Sequence, residues 1–158
     1  LRADARLRTG HAADAEADFR KLLERAPTRS ELWRGLGTAL RAQDRIKEAL
    51  EAYTTYLGQQ SGDVEMRLRI ARLLIESPNE PWFAPDKAVL QAREAERLKP
   101  DGDPQVAIVL AEALMAAGKD QEALQQIERA YTRFPTSTEV QTAREKLRAI
   151  KSTAKPKR

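Results

Sequence analysis

The chain has 158 residues, no cysteine, a formal net charge of +4 and a charged fraction of 33%. Its length fits one domain of about 100–200 residues whose core needs no covalent or metal staple; without cysteine, a disulfide framework, a thiolate zinc site and a cysteine nucleophile are excluded. No apolar run approaches the roughly 20 residues of a membrane-spanning helix, and the mild basic balance (pI about 9.5) could favour acidic partners while falling short of an argument for nucleic acid.

Ala, Leu, Glu, Arg and Gln dominate and aromatics are only 5%. These are strong helix formers, so the expected fold class is all-α. Four alanines set a register: Ala15, Ala49, Ala88 and Ala123, at spacings of 34, 39 and 35 residues. Four residues after them stand Phe19, Tyr53, Ala92 and Ile127, and twelve residues after them stand Pro27, Ser61, Pro100 and Pro135. Such a fixed period marks a repeat array. Each repeat reads as two helices joined by a tight turn.

In chain order, the first unit (1–29) begins inside its first helix, with Arg6 where an apolar residue is expected and Gly10 at the turn. The second unit (30–63) carries Trp33, Leu36, Gly37 and Leu40 at helical spacing, then a turn at Asp44. The third unit (64–103) has Ile70, Ala71 and Leu74, with Arg67 where a large apolar residue would be usual. An extra stretch from Pro78 to Pro85 between its helices accounts for the long spacing. The fourth unit (104–137) has Ala107, Leu110, Ala111 and Leu114, then Gly118. Each apolar stripe faces a core. Glycine suits the left-handed residue just past a helix end, a small alanine lets paired helices approach, and proline stops the second helix. Residues 138–150 read as one more helix with Val140, Ala143, Leu147 and Ile150 on one face. An end helix of this kind covers the last apolar surface of a repeat array. The basic tail, 151–158, is expected to be disordered.

This joint register resembles the tetratricopeptide repeat family. The match is closest in the second unit (Trp33, Leu36-Gly37, Leu40, Ala49, Tyr53, Ser61) and nearly as good in the fourth (Leu110-Ala111, Leu114, Gly118, Glu122-Ala123, Pro135). The resemblance covers about residues 1–135. It implies a right-handed superhelical stack of about four hairpins, closed by the helix at 138–150, forming one repeat domain over 1–150.

The resemblance also implies a concave groove lined by the first helix of each pair. Carried over, its lining is Arg34, Thr38 and Arg41 in the second unit, Leu68, Arg69, Arg72 and Ile75 in the third, and Ile108, Val109, Glu112 and Met115 in the fourth. The arginines at one end suit carboxylates, which they grip with two prongs. The expected ligand therefore has an acidic segment beside an apolar one. Family members that clamp chaperone C-termini use asparagines and lysines there, and these faces have no asparagine. Trp82 and Phe83, flanked by prolines, form a second candidate contact; the plainer reading tucks both rings over the third hairpin, filling the space left by Arg67.

No catalytic, metal or cofactor motif stands out. The single histidine, His11, follows Gly10 in a turn and has no second histidine or cysteine to help it. Gly35-Leu36-Gly37 lacks the spacing and the Lys-Ser/Thr of a phosphate loop, and close helix packing explains it better. The expected function is a protein–protein interaction scaffold, one piece of a larger assembly or adaptor protein. The competing readings are a docking domain of a multidomain enzyme, a self-associating scaffold and, with less support, a nucleic-acid binder using Lys151, Lys155, Lys157 and Arg158. Position 1 is Leu and no charged-then-apolar leader follows, so cytoplasm and periplasm stay equally open. The Ala- and Arg-rich composition fits a GC-rich bacterial genome.

Overall fold

The computed structural model describes residues 2–99 and 101–153. Among them the chain is all helix and has no strand: α1 (Arg2–Arg8), α2 (Ala12–Arg25), α3 (Ser30–Arg41), α4 (Ile46–Gln59), α5 (Val64–Leu73), α6 (Pro85–Leu98), α7 (Pro104–Ala116), α8 (Asp120–Arg133) and α9 (Thr138–Thr153). The helices fall into two compact units, dividing between Met66 and Arg67. In the first, α2 packs on α1 and α3, α3 packs on α4, and α1 also touches α3. In the second, α7 packs on α6, α8 and α9, and α8 packs on α9.

The turn chemistry follows the expected register. Gly10, Asp44 and Gly118 all adopt positive φ, at 81°, 60° and 72°. Each closes the preceding helix with the same pair of bonds. The turn N–H donates three residues back (Gly10 to Leu7, Asp44 to Arg41, Gly118 to Met115), and the next N–H donates five back (His11 to Arg6, Arg45 to Leu40, Lys119 to Leu114). This is the Schellman arrangement. Asp44 is the only non-glycine with positive φ among the described residues. A left-handed non-glycine costs on the order of 1 kcal/mol, so Asp44→Gly is expected to raise stability by up to about 0.5 kcal/mol after the entropy of the unfolded glycine is subtracted. A thermal melt checks this; a lower melting temperature would show that the Asp44 side chain does more than fill the turn.

The third hairpin keeps the same closing bond across its longer loop. Ala84 N–H donates to the Leu74 carbonyl at 2.9 Å, where the fourth hairpin uses Lys119 and Leu114. The loop is organised internally by Glu80 N–H on the Ser77 carbonyl and Phe83 N–H on the Glu80 carbonyl. The insertion thus lengthens the loop between two fixed ends and leaves the register of α6 intact. Pro85 starts α6 and Pro104 starts α7, where the missing N–H is not needed.

The four register alanines are 0% exposed, and so are Tyr53, Ala92 and Ile127, with Phe19 at 1%. Helices α2, α4 and α8 end two residues before Pro27, Ser61 and Pro135. Pro100, the fourth expected terminator, lies outside the described residues.

Two expectations change. The last helix does not stop at Ile150 but runs on to Thr153, because no proline or glycine interrupts the sequence there. The rest of the expected tail, residues 154–158, lies outside the described residues. Arg6, expected as a misfit in an apolar position, is half-buried and donates to Asp18 Oδ2 at 2.7 Å. Arg2 grips both oxygens of the same carboxylate, at 2.6 and 3.1 Å. Arg67, the other misfit, is half-buried and donates to Gln91 Oε1 of α6 at 2.8 Å. Both polar positions are met by polar partners rather than left as gaps.

Candidate interaction surface

In the first unit, the stripe of α3 formed by Leu32, Leu36, Gly37, Ala39 and Leu40 is buried, which turns Glu31, Arg34 and Arg41 outward. Arg34 pairs with Glu31 one turn earlier at 2.5 Å, and its guanidinium lies 6.0 Å from the centre of the Tyr56 ring. Thr38 is half-buried; its hydroxyl donates to the Arg34 carbonyl at 3.0 Å and accepts from Tyr53 Oη at 3.4 Å. Arg41 is exposed and makes no ion pair among the described residues.

Behind this face Tyr56 is anchored. Its hydroxyl donates to Asp63 Oδ2 at 2.7 Å, while Asp63 Oδ1 accepts from Met66 N–H at 2.9 Å and so caps the start of α5. The bond to the Asp63 carboxylate, with burial second, pushes the Tyr56 hydroxyl up to about 12. The bond to Asp63 thereby fixes the ring beneath Arg34.

In the second unit, Arg72 is exposed and donates to Gln105 Oε1 of α7; Gln105 in turn donates to Glu139 Oε2 of α9 at 2.5 Å. Lys146 of α9 lies 3.5 Å from Glu112 of α7. Arg69, Ile75, Glu112 and Met115 are half-buried, and Met115 packs against the core shared by α7, α8 and α9. Trp82 and Phe83 are half-buried in the ordered loop before α6.

Three expected lining residues are not on a surface. Val109 is 0% exposed, and Leu68 and Ile108 are each 7% exposed. Ile108 is covered because it joins Ala111, Ile127, Ala130, Val140, Ala143 and Leu147 in one cluster, so α9 sits over it. Helix α7 is packed by α6, α8 and α9, and carries only one charged residue, Glu112. A helix apolar nearly all round is an enclosed helix; that composition was the available signal against Ile108 and Val109. For Leu68 the structure shows the burial without such a signal in α5.

Sequence reasoning also missed the strongest polar construction. Glu16 of α2 is 9% exposed. It accepts from Gln43 Nε2 at 2.8 Å, from Arg45 at 2.6 Å and from Arg20 at 2.8 Å. Arg45 also grips Glu48 with two bonds, at 2.7 and 2.5 Å. Burial pushes the Glu16 carboxyl up, but the bonds from Gln43 and Arg20 and the charges of Arg45 and Arg20 outweigh it and hold it below its ordinary value. In the second unit Arg144 of α9 plays a matching part. It bonds both oxygens of Glu128, at 3.0 and 2.9 Å, and stacks 4.1 Å from the Tyr131 ring centre. The Arg144 bond, with the nearby charge of Arg148, lowers the Glu128 carboxyl. These arginines hold helices together.

His11 is exposed, with Nδ1 2.9 Å from the Thr9 hydroxyl. Among the described residues no group of three or more His, Asp or Glu side chains is placed to hold a metal ion, and no helix is long and apolar enough to cross a membrane.

The hairpins, their turn bonds and their alanine register define a helical-repeat protein. Models of the tetratricopeptide repeat match residues 1–64 and 104–147. The chain belongs to the tetratricopeptide repeat family. Among solved structures it is similar to the MamA protein, at 17% identity over 84% of this chain and 69% of that one, with a TM-score of 0.71. It is also similar to the MamA RS-1 ArsTM double mutant, at 13% identity over 96% and 82%, with a TM-score of 0.78. A third is TTC0263, a thermophilic TPR protein in Thermus thermophilus, at 20% identity over 93% and 78%, with a TM-score of 0.66. At these identities the likeness is one of fold. No curated protein matches the chain significantly.

Proposed function

We propose that this chain is a non-enzymatic scaffold that holds another protein, and that each compact unit offers its own arginine-bearing face for this, that of α3 in the first and that around Arg72 of α5 in the second. The family is one of protein-interaction scaffolds, and the arginines of these faces are able to change partners. That difference carries the reading. Arg45 is locked by a two-pronged bond to Glu48, and Arg144 by its Nε–H shared between the two oxygens of Glu128 and by its stacking on Tyr131. Arg34 has one exposed partner, Glu31, at 56% side-chain exposure, and Arg41 has none among the described residues. An exposed ion pair is worth only about 0–1 kcal/mol, so exchanging Glu31 for a ligand carboxylate costs little. Arg72 likewise gives up only a neutral amide, Gln105. A carboxylate-bearing segment offers these arginines stronger, charge-assisted bonds. Beside Arg72, the half-buried Ile75 offers apolar contact.

The test is an affinity pull-down from the native extract with the parent chain and with an Arg34→Glu, Arg41→Glu, Arg72→Glu variant, both checked by circular dichroism. At least one protein is expected to be held by the parent and lost from the folded variant. The same proteins on both baits would place the contact elsewhere.

A further inference from the structure

The exposed charges of α3 stand in a fixed order. Glu31, Arg34 and Arg41 are exposed, and Thr38 is half-buried between the two arginines. At helical geometry these four positions share an arc of about 80°, and the arginines, seven residues apart, stand about 10.5 Å apart along the helix. Glu31 lies about 4.5 Å beyond Arg34 in the other direction. The stripe of Leu32, Leu36, Gly37, Ala39 and Leu40 is buried, so α3 shows solvent the order minus, plus, neutral, plus. Part of this order is held in place. Arg34 is paired to Glu31 at 2.5 Å and lies 6.0 Å from the centre of the Tyr56 ring, which is itself bonded to Asp63. The Thr38 hydroxyl is engaged by the Arg34 carbonyl and by Tyr53 Oη, so no charge interrupts the space between the arginines.

Given that α3 is the binding face of the first unit, we infer that its ligand is a helix laid along α3, with two acidic residues seven positions apart and a basic residue three positions outside the pair. A ligand helix has the same rise and turn as α3, so side chains at that spacing meet Arg34, Arg41 and Glu31 in register. The basic residue is needed because a ligand carboxylate that takes Arg34 leaves the Glu31 carboxylate beside it, and juxtaposed like charges repel. Other backbone forms match less well. An extended strand places same-side residues about 6.6 or 13 Å apart, on either side of the arginine spacing. A polyproline helix, with about 9.3 Å between same-side residues, meets both arginines but has no residue on that side about 4.5 Å further on for Glu31.

The experiment is titration of the isotope-labelled full chain at low salt with three capped, Ala-rich peptides, followed through backbone amide shifts, which report weak binding. The first peptide carries Lys, Glu and Glu at the inferred spacing. The second has the same composition with the outer Glu moved two positions on, which turns it to the opposite side of the helix. The third is the first with two central prolines, which break the helix. The first is expected to shift the α3 amides and to bind up to about fivefold more tightly than the second, which forfeits one exposed ion pair. The third is expected to bind more weakly than the first. Arg41→Ala should bring the first peptide down to the level of the second, while Lys47→Ala, which removes an exposed charge from α4, should keep the difference. Equal binding of the first and second peptides, or binding of the third as tight as the first, overturns the inference and leaves α3 a face for acidic ligands of another form. Amides of α3 unmoved by all three overturn the assignment of that face itself, and the inference with it.

Discussion

Gly37→Ala is expected to lower the stability of the first unit by about 1 kcal/mol, or roughly 2–4 °C in melting temperature for a chain of this size. Two effects compete. Alanine in a helix interior is favoured over glycine by about 1 kcal/mol. Against that, a Cβ at Gly37 would stand 2.5 Å from Tyr53 Cε1 and 2.6 Å from Cδ1. Tyr53 is 0% exposed and cannot swing away, so the helices must part, which costs about 1–3 kcal/mol and occasionally more. The overlap therefore wins. Gly35 stands in the same relation to Phe19, 2.4 Å from two ring atoms, which ties α3 to α2 as Gly37 ties it to α4. Gly58 is the control. It is an exposed residue of α4, and a Cβ there meets nothing within 4 Å, so Gly58→Ala should raise stability by up to about 1 kcal/mol. Opposite signs at Gly37 and Gly58 are the expected result. Stabilisation at both would mean the close approach is not a packing constraint.

The second large effect is at Glu16. Glu16→Gln keeps the shape but removes the charge that Arg20 and Arg45 share, and the loss at neutral pH is expected to be about 2 kcal/mol, the scale of bonds to a charged group. The pH dependence follows from the direction of the shift. The folded-state carboxyl is held below its ordinary value of 4.5, so in acid the unfolded chain binds the proton first. The contribution is fully present above about pH 4.5 and is lost as pH falls through the lower, folded-state value. Asp18, held down first by the bond from Arg2, and Glu48, held down first by the bond from Arg45, act in the same direction within the same unit. Urea unfolding of the parent and Glu16→Gln at neutral and acid pH should give a gap that closes as pH falls. A gap independent of pH would show that the substituted amide is merely a poorer fit.

The repeat was legible in the sequence because its signals are local. A left-handed turn needs glycine or a short polar residue, hence Gly10, Asp44 and Gly118. A close helix crossing needs a small residue, hence the four alanines. The insert before α6 was legible from spacing alone, since lengthening a loop does not disturb the register on either side. What stayed hidden depends on which neighbour covers which face. Glu16 and Asp18 look in sequence like members of a solvated helix face; only the placement of Arg45 at the next turn and of Arg2 and Arg6 on α1 buries them. Ile108 occupies a register position expected to face a ligand, and α9 covers it. The end of α9 was unreadable for the opposite reason, because Lys151 to Thr153 are ordinary helix residues with no stop signal before Pro156.

The most direct test of the central proposal is a selection of random peptides against the purified chain, with the Arg34→Glu, Arg41→Glu, Arg72→Glu variant as the counter-bait. Enriched peptides are expected to carry Asp or Glu beside apolar residues and to fail on the variant. Peptides without acidic residues, or peptides that bind the variant equally well, would contradict it.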